Sequence, residues 1–421
     1  MTFDSHDRTI LRDLAREVAD IAADPIMAAR KRAWIEHNSL RSTQPMMLIF
    51  PEGAWTELLP KTPAVLACHD EAAREIEWSL AARLYTCRHF QDDTVVEADW
   101  IVNAAISDTG WGYERLRRHS DTARGSYAIE PFLKERADLR KLRFPEVVYD
   151  EQATAGNLAE MQDLFGDILN VKLKGKAHIS YHLAAQYLDL RGLELMFTDM
   201  VEAPGFIHET LSFLEEGHRR LLKQWRDLNL LSLNNDNTYQ NSGGNGYTDE
   251  LPAPGFNPAR VRPADMWASA EAQEMAPVSP RMHHEFFMQY EGRLLAPFGL
   301  TGYGCCEDLS RKLADVLTIP HIRRISISPF ADVERSAAKL HGQAIFSWKP
   351  HPAHLVGDFD EAALRAYIRH TLAVARANGC VLEMILKDTH TCEHHPERFD
   401  AWTRIARAEI RAATDHTRAA D

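Results

Sequence analysis

Three short apolar segments near the C-terminus decide the fold: RRISIS at residues 323–328, AIFSW at 344–348 and VLEMIL at 381–386. Each is followed by a segment in which apolar residues recur at helical spacing, which predicts helices at 330–341, 360–377 and 396–412. Parallel strands need such crossover helices, because the chain must return to the same end of the sheet before the next strand begins. These segments therefore predict a parallel α/β sheet.

The same alternation extends upstream. Strands or short apolar segments are predicted at 46–50, 95–102, 168–173, 228–233 and 293–300, and helices at 5–22, 25–40, 70–89, 151–165, 181–190, 204–228 and 308–317. Over 421 residues this pattern favours a (β/α)8 TIM barrel at 45–421 with an N-terminal helical extension at 1–44, rather than an open doubly wound sheet. A long loop insertion is predicted near 237–290, with its Gly-, Asn- and Pro-rich part at 241–258 lying over one end of the barrel.

Composition excludes several classes of function. The chain has 48 Lys and Arg against 61 Asp and Glu, a formal net charge of −13, which disfavours nucleic acid as a partner. The apolar run at 46–50 is far too short to span a bilayer, and residues 1–22 lack the pattern of a signal peptide. The six cysteines are too sparse for a disulfide framework, so we expect a cytoplasmic protein with reduced thiols and no membrane partner.

Polar residues accumulate directly after the predicted strands. In a parallel barrel this edge is where catalytic groups gather, since the carboxyl ends of all strands meet there. Residues of this kind are Asn234, Asn235, Asp236 and Asn237, then Cys305, Cys306 and Glu307, then Lys349, His351 and His354, and finally Lys387, Asp388, His390, Cys392, His394 and His395.

The cysteines at this edge point to a metal site. Thiolates together with imidazole or carboxylate ligands suit Zn²⁺, and three protein ligands leave a fourth position for substrate. The candidate ligands are Cys305 or Cys306, Cys392, and one of the following three residues: Glu307, His351 or His390. The alternative is that the adjacent cysteines are small buried residues that bind nothing.

Two further features bear on the site. Glu383, inside the last predicted strand, is expected either to point into the barrel, where a buried carboxylate would need a partner, or to face solvent at a bend. Asp388-Thr389-His390 matches the Asp-x-His start of a corrinoid-binding loop, but Glu393 stands where that motif requires glycine. The chain is therefore not expected to carry its own cobalamin domain.

A family resemblance enters at residues 193–208, LELMFTDMVEAPGFIH. This segment, together with the cysteine turns near Cys306 and Cys392, resembles the uroporphyrinogen decarboxylase-like superfamily, and within it the corrinoid-dependent methyltransferases. The resemblance covers about residues 193–412. It implies a TIM barrel in which Zn²⁺ is held by a His-x-Cys pair and a distant Cys, and in which cobalamin is carried by a separate corrinoid protein.

Transferred to this chain, the resemblance matches Cys392 to the distant Cys and Cys305 or Cys306 to the Cys of the pair. The His position holds Tyr303 or Gly304, so Glu307, His390 or His351 would complete the metal shell. The Arg-rich segment by which the decarboxylases hold their tetrapyrrole is absent near residues 46–55.

The leading functional prediction is a zinc-dependent methyltransferase that moves a methyl group between a small substrate and cobalamin on the corrinoid partner. Asn234, Asp236 and Lys349 are predicted to orient the substrate from the strand ends. The alternatives are a metal-free decarboxylase or lyase acting on a tetrapyrrole or polycarboxylate, and a non-catalytic tetrapyrrole or corrinoid binder. The methyl donor, the acceptor and the oligomeric state are left open by the sequence.

Overall fold

The computed structural model describes residues 3–114, 117–119 and 127–418. The longer helices are α1 (Ser5–Ala22), α2 (Pro25–Asn38), α3 (Glu71–Tyr85), α4 (Glu151–Phe165), α5 (Leu183–Arg191), α6 (Leu193–Glu202), α7 (Pro204–Asp227), α8 (Gln289–Leu295), α9 (Val333–Leu340), α10 (Glu361–Ala377) and α11 (Glu397–Arg418). The principal strands are β1 (Met46–Ile49), β2 (Asp99–Asn103), β3 (Asn170–Lys174), β4 (Ser180–Tyr181), β5 (Trp267–Ala270), β6 (Leu300–Tyr303), β7 (Ile322–Ile327), β8 (Ile345–Trp348) and β9 (Val381–Leu386).

Seven of these strands form one parallel sheet in the order β1-β9-β8-β7-β6-β5-β4. The parallel α/β class is thus confirmed. Within the described ranges the sheet does not close into an eight-stranded barrel, because β1 and β4 remain its edges and β2 pairs only with β3. The predicted strand at 228–233 contributes no more than an isolated bridge between Leu231 and Lys176, so the wall is incomplete on this side.

The two faces of the sheet differ in chemistry. One face packs its apolar residues, such as Ile325, Phe346 and Met384, into the main hydrophobic core beneath the helices. The opposite face carries Arg324, Ser347 and Glu383, and we call it the inner face. The strands therefore alternate apolar and polar residues, which in a parallel sheet indicates an interior with polar contents.

A hairpin formed by Tyr239–Gln240 and Gly244–Asn245 covers the inner face. A Cβ on Gly243 would lie 2.4 Å from Ile385, and one on Gly244 would lie 2.3 Å from the guanidinium of Arg324, so only glycine allows this approach. Residues 240–248 are buried. The prediction that 241–258 lies over one end of the barrel was wrong for this part, because the hairpin occupies the interior.

Three other predictions need correction. The interval 237–290, predicted as a loop insertion, contains β5, which lies between the edge strand β4 and β6. Its sequence, WASA, consists of small and mixed residues and shows no strand pattern. The predicted strand at 293–300 is divided between the end of α8 and the start of β6. The predicted helix at 308–317 is reduced to Leu313–Val316.

The N-terminal helices begin where the sequence indicated. Asp4 caps α1 by accepting the N–H of Asp7, and Pro25 occupies the first turn of α2. Leu11 and Val18 of α1 pack with Leu80 of α3 in a second hydrophobic cluster. No helix in the described part of the chain is long and apolar enough to cross a membrane.

Candidate active site

A tight turn after β6 presents the two adjacent cysteines. Gly304 begins the turn at φ +91°, where glycine is favoured, and a Cβ there would lie 2.5 Å from Leu309. The buried Glu307 carboxylate accepts hydrogen bonds from the main-chain N–H groups of Cys305 at 2.7 Å and Ala272 at 3.4 Å. Burial raises the pKa of Glu307. Glu307, a predicted metal ligand, thus uses both carboxylate oxygens to hold the turn.

The sulfurs of Cys305 and Cys306 lie 3.5 Å apart, and both side chains are half-buried. Ser242 Oγ donates to Cys305 Sγ at 3.3 Å, and Cys306 Sγ donates to Asp388 Oδ2 at 3.3 Å. The contact with Cys306 lowers the pKa of Cys305 against the opposing effect of burial, and the same contact raises the pKa of Cys306. Cys305 is therefore the more acidic thiol and Cys306 keeps its proton.

Lys387, the first residue after β9, supplies a cation at the same place. Its Nζ lies 3.2 Å from Ser242 Oγ and 3.6 Å from Asp388 Oδ1. Burial opposes the charged form, but Tyr239 and Cys305 outweigh it and raise the pKa of Lys387, which is an ammonium at neutral pH. The side chains gathered at this edge form what we call the mouth cluster: Ser242, Cys305, Cys306, Lys387 and Asp388.

An ion pair borders the mouth cluster. Glu271 follows β5 and His182 follows β4, and Oε1 of Glu271 lies 3.0 Å from Nδ1 of His182. Burial would raise the pKa of Glu271, but the bonds to His182 and Cys305 outweigh it and lower that pKa. The same contact raises the pKa of His182 despite burial. Sequence reasoning missed Glu271 and Ser242 because β5 and the hairpin lay inside a segment predicted as loop. It missed His182 because residues 181–190 were predicted as a helix, whereas the structure ends β4 at Tyr181 and begins α5 at Leu183.

The three residues predicted to orient substrate are separated in the structure. Asn234 is fully buried; its amide donates to the carbonyls of Ala177 at 2.7 Å and Trp267 at 2.9 Å, and its Oδ1 accepts the N–H of Trp267 at 2.9 Å. These bonds link the chain beside β4 to β5, so Asn234 has a structural role. Asp236 pairs with Lys174 at 2.5 Å in a separate cleft.

Lys349 belongs to a buried group on the inner face. Its Nζ donates to Ser347 Oγ at 2.6 Å, and that hydroxyl donates to Glu383 at 2.5 Å. Arg324 binds the same carboxylate with Nε at 2.9 Å and Nη2 at 3.2 Å. Burial lowers the pKa of Lys349 to about 7, although Glu383 opposes it. Of the two orientations expected for Glu383, the structure shows the inward one with a buried partner. We call Arg324, Ser347, Lys349 and Glu383 the inner network.

The remaining predicted metal ligands have other contacts. Cys392 is buried and its Sγ donates to Glu57 Oε2 at 3.1 Å; burial and this contact raise the pKa of Cys392 to about 11. His351 caps a helical turn, since its Nδ1 accepts the N–H of Ala353 at 3.1 Å. His390 is exposed. These three therefore do not share the contacts of the Cys305–Cys306 pair.

The donor chemistry of the mouth cluster fits Zn²⁺ in part. Two thiolates on one tetrahedral zinc lie about 3.7 Å apart, because each Zn–S bond is about 2.3 Å long. The 3.5 Å between the two sulfurs agrees with this separation, and Asp388 offers a carboxylate beside Cys306. Cys305, Cys306 and Asp388 would be the residues that hold the ion.

A tighter group of three ligand atoms, all within 4.8 Å of one another, occurs among the described residues at His6, Asp7 and His69 rather than at the cysteines. Both carboxylate oxygens of Asp7 are occupied there, by the N–H groups of His69 at 2.8 Å and Asp70 at 3.0 Å. The positive end of the α1 dipole also disfavours a cation at this point. These contacts tie α1 to the segment before α3.

A cleft of about 810 Å³ lies where the sheet wall is incomplete. It is bounded by α3, by alternate residues of β2, and by residues 174–178 and 236–238. His178, which lines it, lies 3.1 Å through Nδ1 from the carbonyl of Tyr239 in the hairpin. The hairpin therefore stands between this cleft and the mouth cluster.

Comparison with known proteins gives little further information. No protein-family description matches the chain, and no curated protein matches it. Among solved structures it is similar to a methyltransferase from Methanosarcina mazei, with 9% identity, a TM-score of 0.48, and coverage of 90% of this chain and 98% of that one. At this distance function must be argued from the site.

Proposed function

We propose that the mouth cluster is the active site of an enzyme that transfers a methyl group, and that Cys305, Cys306 and Asp388 hold a Zn²⁺ ion there. The observation that carries this proposal is the pair of sulfurs 3.5 Å apart at the carboxyl ends of the strands, one of them an acidic thiol. Bound zinc would supply Lewis acidity toward the sulfur or oxygen of a small methyl donor or acceptor. Cobalamin on a separate corrinoid protein is the proposed methyl carrier.

The residues of the chain have distinct tasks in this proposal. Ser242 donates to Cys305 and Lys387 lies within hydrogen-bond distance of Ser242, so negative charge on the Cys305 sulfur is stabilised from one side. Asp388 accepts a hydrogen bond from the thiol of Cys306. Zinc binding would release the Cys306 proton to solvent, because Asp388 must stay ionised to act as a ligand. The Glu271–His182 pair keeps a carboxylate charged beside Cys305.

The test combines metal content with methyl transfer. Protein purified without chelators is analysed for zinc, and the demethylation of methylcobalamin in the presence of 2-mercaptoethanol is followed by its visible absorption. We expect near-stoichiometric zinc and turnover in the wild type, and loss of both in Cys305→Ser and Cys306→Ser. Cys380→Ser is the matched control, because this buried thiol contacts Ala337 and directly precedes β9, at the opposite end of the strand from the mouth cluster.

Three other outcomes would contradict the proposal or favour an alternative function. Zinc retained in the Cys305→Ser, Cys306→Ser double variant contradicts the ligand assignment. A spectral change on adding methylcobalamin without turnover by any thiol would favour a non-catalytic corrinoid binder. Zinc-free protein without turnover removes the proposal altogether.

A second candidate is a metal-free decarboxylase or lyase acting on a polycarboxylate. It is favoured by Lys387, a cation at the mouth, and by Lys349, a buried amine whose pKa of about 7 lets it change protonation state near neutrality. This enzyme would be insensitive to chelators and to Cys306→Ser. It would lose binding of a tricarboxylate probe, citrate, in Lys387→Met.

A further inference from the structure

The charged residues that line the 810 Å³ cleft are unevenly paired. Each of its three carboxylates has a lysine within 4.0 Å, and the pairs are Glu97 with Lys31, Asp99 with Lys172, and Asp236 with Lys174. Arg83 also lines the cleft, and it makes no ion pair with any described residue. The pairing therefore leaves two described cations of the cleft without a counterion: Arg83, and Lys176, whose ammonium lies 5.3 Å from the ring of Trp225 outside the cleft lining.

Two contacts fix the position of the Arg83 side chain and leave part of its guanidinium free to bind a ligand. Its Nη1 donates to the main-chain carbonyl of Asp99 at 3.0 Å, and its guanidinium lies 5.2 Å from the ring of Trp100. Nε and Nη2 have no hydrogen-bond acceptor among the described residues. Burial lowers the pKa of Arg83, and only the charge of Asp99 opposes this. A half-buried guanidinium with two free donor groups can donate hydrogen bonds to a bound carboxylate.

Aromatic surface completes the cleft. The indoles of Trp55 and Trp78 both line it, and they contact each other edge to face with ring centroids 5.6 Å apart. Such rings favour a flat apolar ligand. The volume of the cleft is in the range of pockets that enclose small organic ligands. The cleft thus offers an aromatic wall of two nearly perpendicular indoles, and a guanidinium with free donor groups at Arg83.

We propose that this cleft binds a small aromatic carboxylate, with the carboxylate on Arg83 and the ring against Trp55 and Trp78. The ligand is a monoanion, because a single carboxylate occupies the two free donor groups of Arg83. The proposal does not depend on metal binding or methyl transfer at the mouth cluster, because none of the mouth residues lines the cleft.

Isothermal titration calorimetry of the full chain with naphthalene-2-carboxylate tests the proposal, with naphthalene-2-methanol as the neutral analogue. We expect saturable binding of the acid and at least about tenfold weaker binding of the alcohol, because the alcohol forms no charged hydrogen bonds. Arg83→Gln should weaken binding of the acid by about tenfold and leave the affinity for the alcohol unchanged. Arg83→Lys should give an intermediate affinity, since it keeps the charge and loses the fork.

Three controls locate the site. Ala82→Phe, which fills the cleft from α3, should abolish binding of both compounds. Arg404→Gln, an exposed arginine paired with Glu361, and Cys305→Ser should leave binding intact. Equal affinity for acid and alcohol, no loss in Arg83→Gln, or no saturable binding at all would each overturn the proposal. Loss of binding in Cys305→Ser would place the ligand at the mouth instead.

Discussion

The mouth cluster and the inner network are built from similar groups, yet they differ in how their polar atoms are used. In the inner network Arg324, Ser347 and Glu383 are fully buried and bonded to one another at 2.5 to 3.2 Å. In the mouth cluster the two sulfurs are half-exposed and contact each other, so they retain capacity for a ligand. Saturated polar groups stabilise a fold, whereas unsaturated ones at a strand end are available for chemistry.

The largest effect should come from breaking the inner network. Arg324→Met leaves the Glu383 carboxylate buried without its main partner, and we expect a loss of about 3–5 kcal/mol in the free energy of unfolding, measured by urea denaturation. Arg404→Met, which breaks an exposed pair, should cost less than about 1 kcal/mol. Equal losses in the two variants would show that the network does not stabilise the fold in this way.

The next effect concerns thiol reactivity. Cys305 has a lowered pKa, whereas burial and Glu57 raise the pKa of Cys392 to about 11. At pH 7.5 we expect iodoacetamide to alkylate Cys305 at least about tenfold faster than Cys392, after allowing for the weaker nucleophilicity of the more acidic thiol. Peptide mass spectrometry of metal-free protein over time measures both rates. Faster labelling of Cys392 would reverse the assignment of the reactive thiol.

The sequence predicted the parts of this molecule that depend on strong local patterns. β7, β8 and β9 and their crossover helices carry runs of apolar residues at clear periods, and all are present close to the predicted positions. β5 was missed because its WASA sequence has no strand signal, and it is a strand only because its neighbours β4 and β6 pair with it.

The same holds for the grouping of residues in the candidate site. Cys305, Cys306 and the residues after β9 were expected at one edge because strand ends are recognisable from sequence, and the structure brings Cys305, Cys306, Lys387 and Asp388 together there. The assignment of Cys392 to the same ligand set is not supported by its contacts, since a turn of six residues after Leu386 carries its sulfur to Glu57 instead. Ser242 and Glu271 are placed by long-range packing of the hairpin and β5, which no local pattern encodes.

A smaller effect tests whether Lys349 belongs with the inner network. Burial lowers its pKa to about 7 from 10.5, so between these values the unfolded chain binds one more proton and the free energy of unfolding rises with pH. Lys349→Met should remove this rise, so the difference in free energy of unfolding between wild type and variant should change by about 1.4 kcal/mol between about pH 8 and pH 9 in favour of the wild type. Parallel pH profiles in urea denaturation would mean that the amine titrates normally.

The smallest effect on stability should come from the contact between Glu57 and Cys392, which holds this thiol away from the mouth cluster. The bonds to Thr391 and His394 outweigh burial and lower the pKa of Glu57 to about 2, so this carboxylate stabilises the fold above its ordinary pKa of 4.5 and loses that effect as the pH falls toward 2. Glu57→Gln should cost about 0.5–1 kcal/mol at pH 7 and should flatten the acid limb of the thermal unfolding profile. It should also speed alkylation of Cys392, because a negative neighbour that raises the thiol pKa is gone, while leaving the labelling of Cys305 unchanged. If both thiols respond, the turn that carries Cys392 and the mouth cluster form one site, and the distinction between the two cysteine turns is lost.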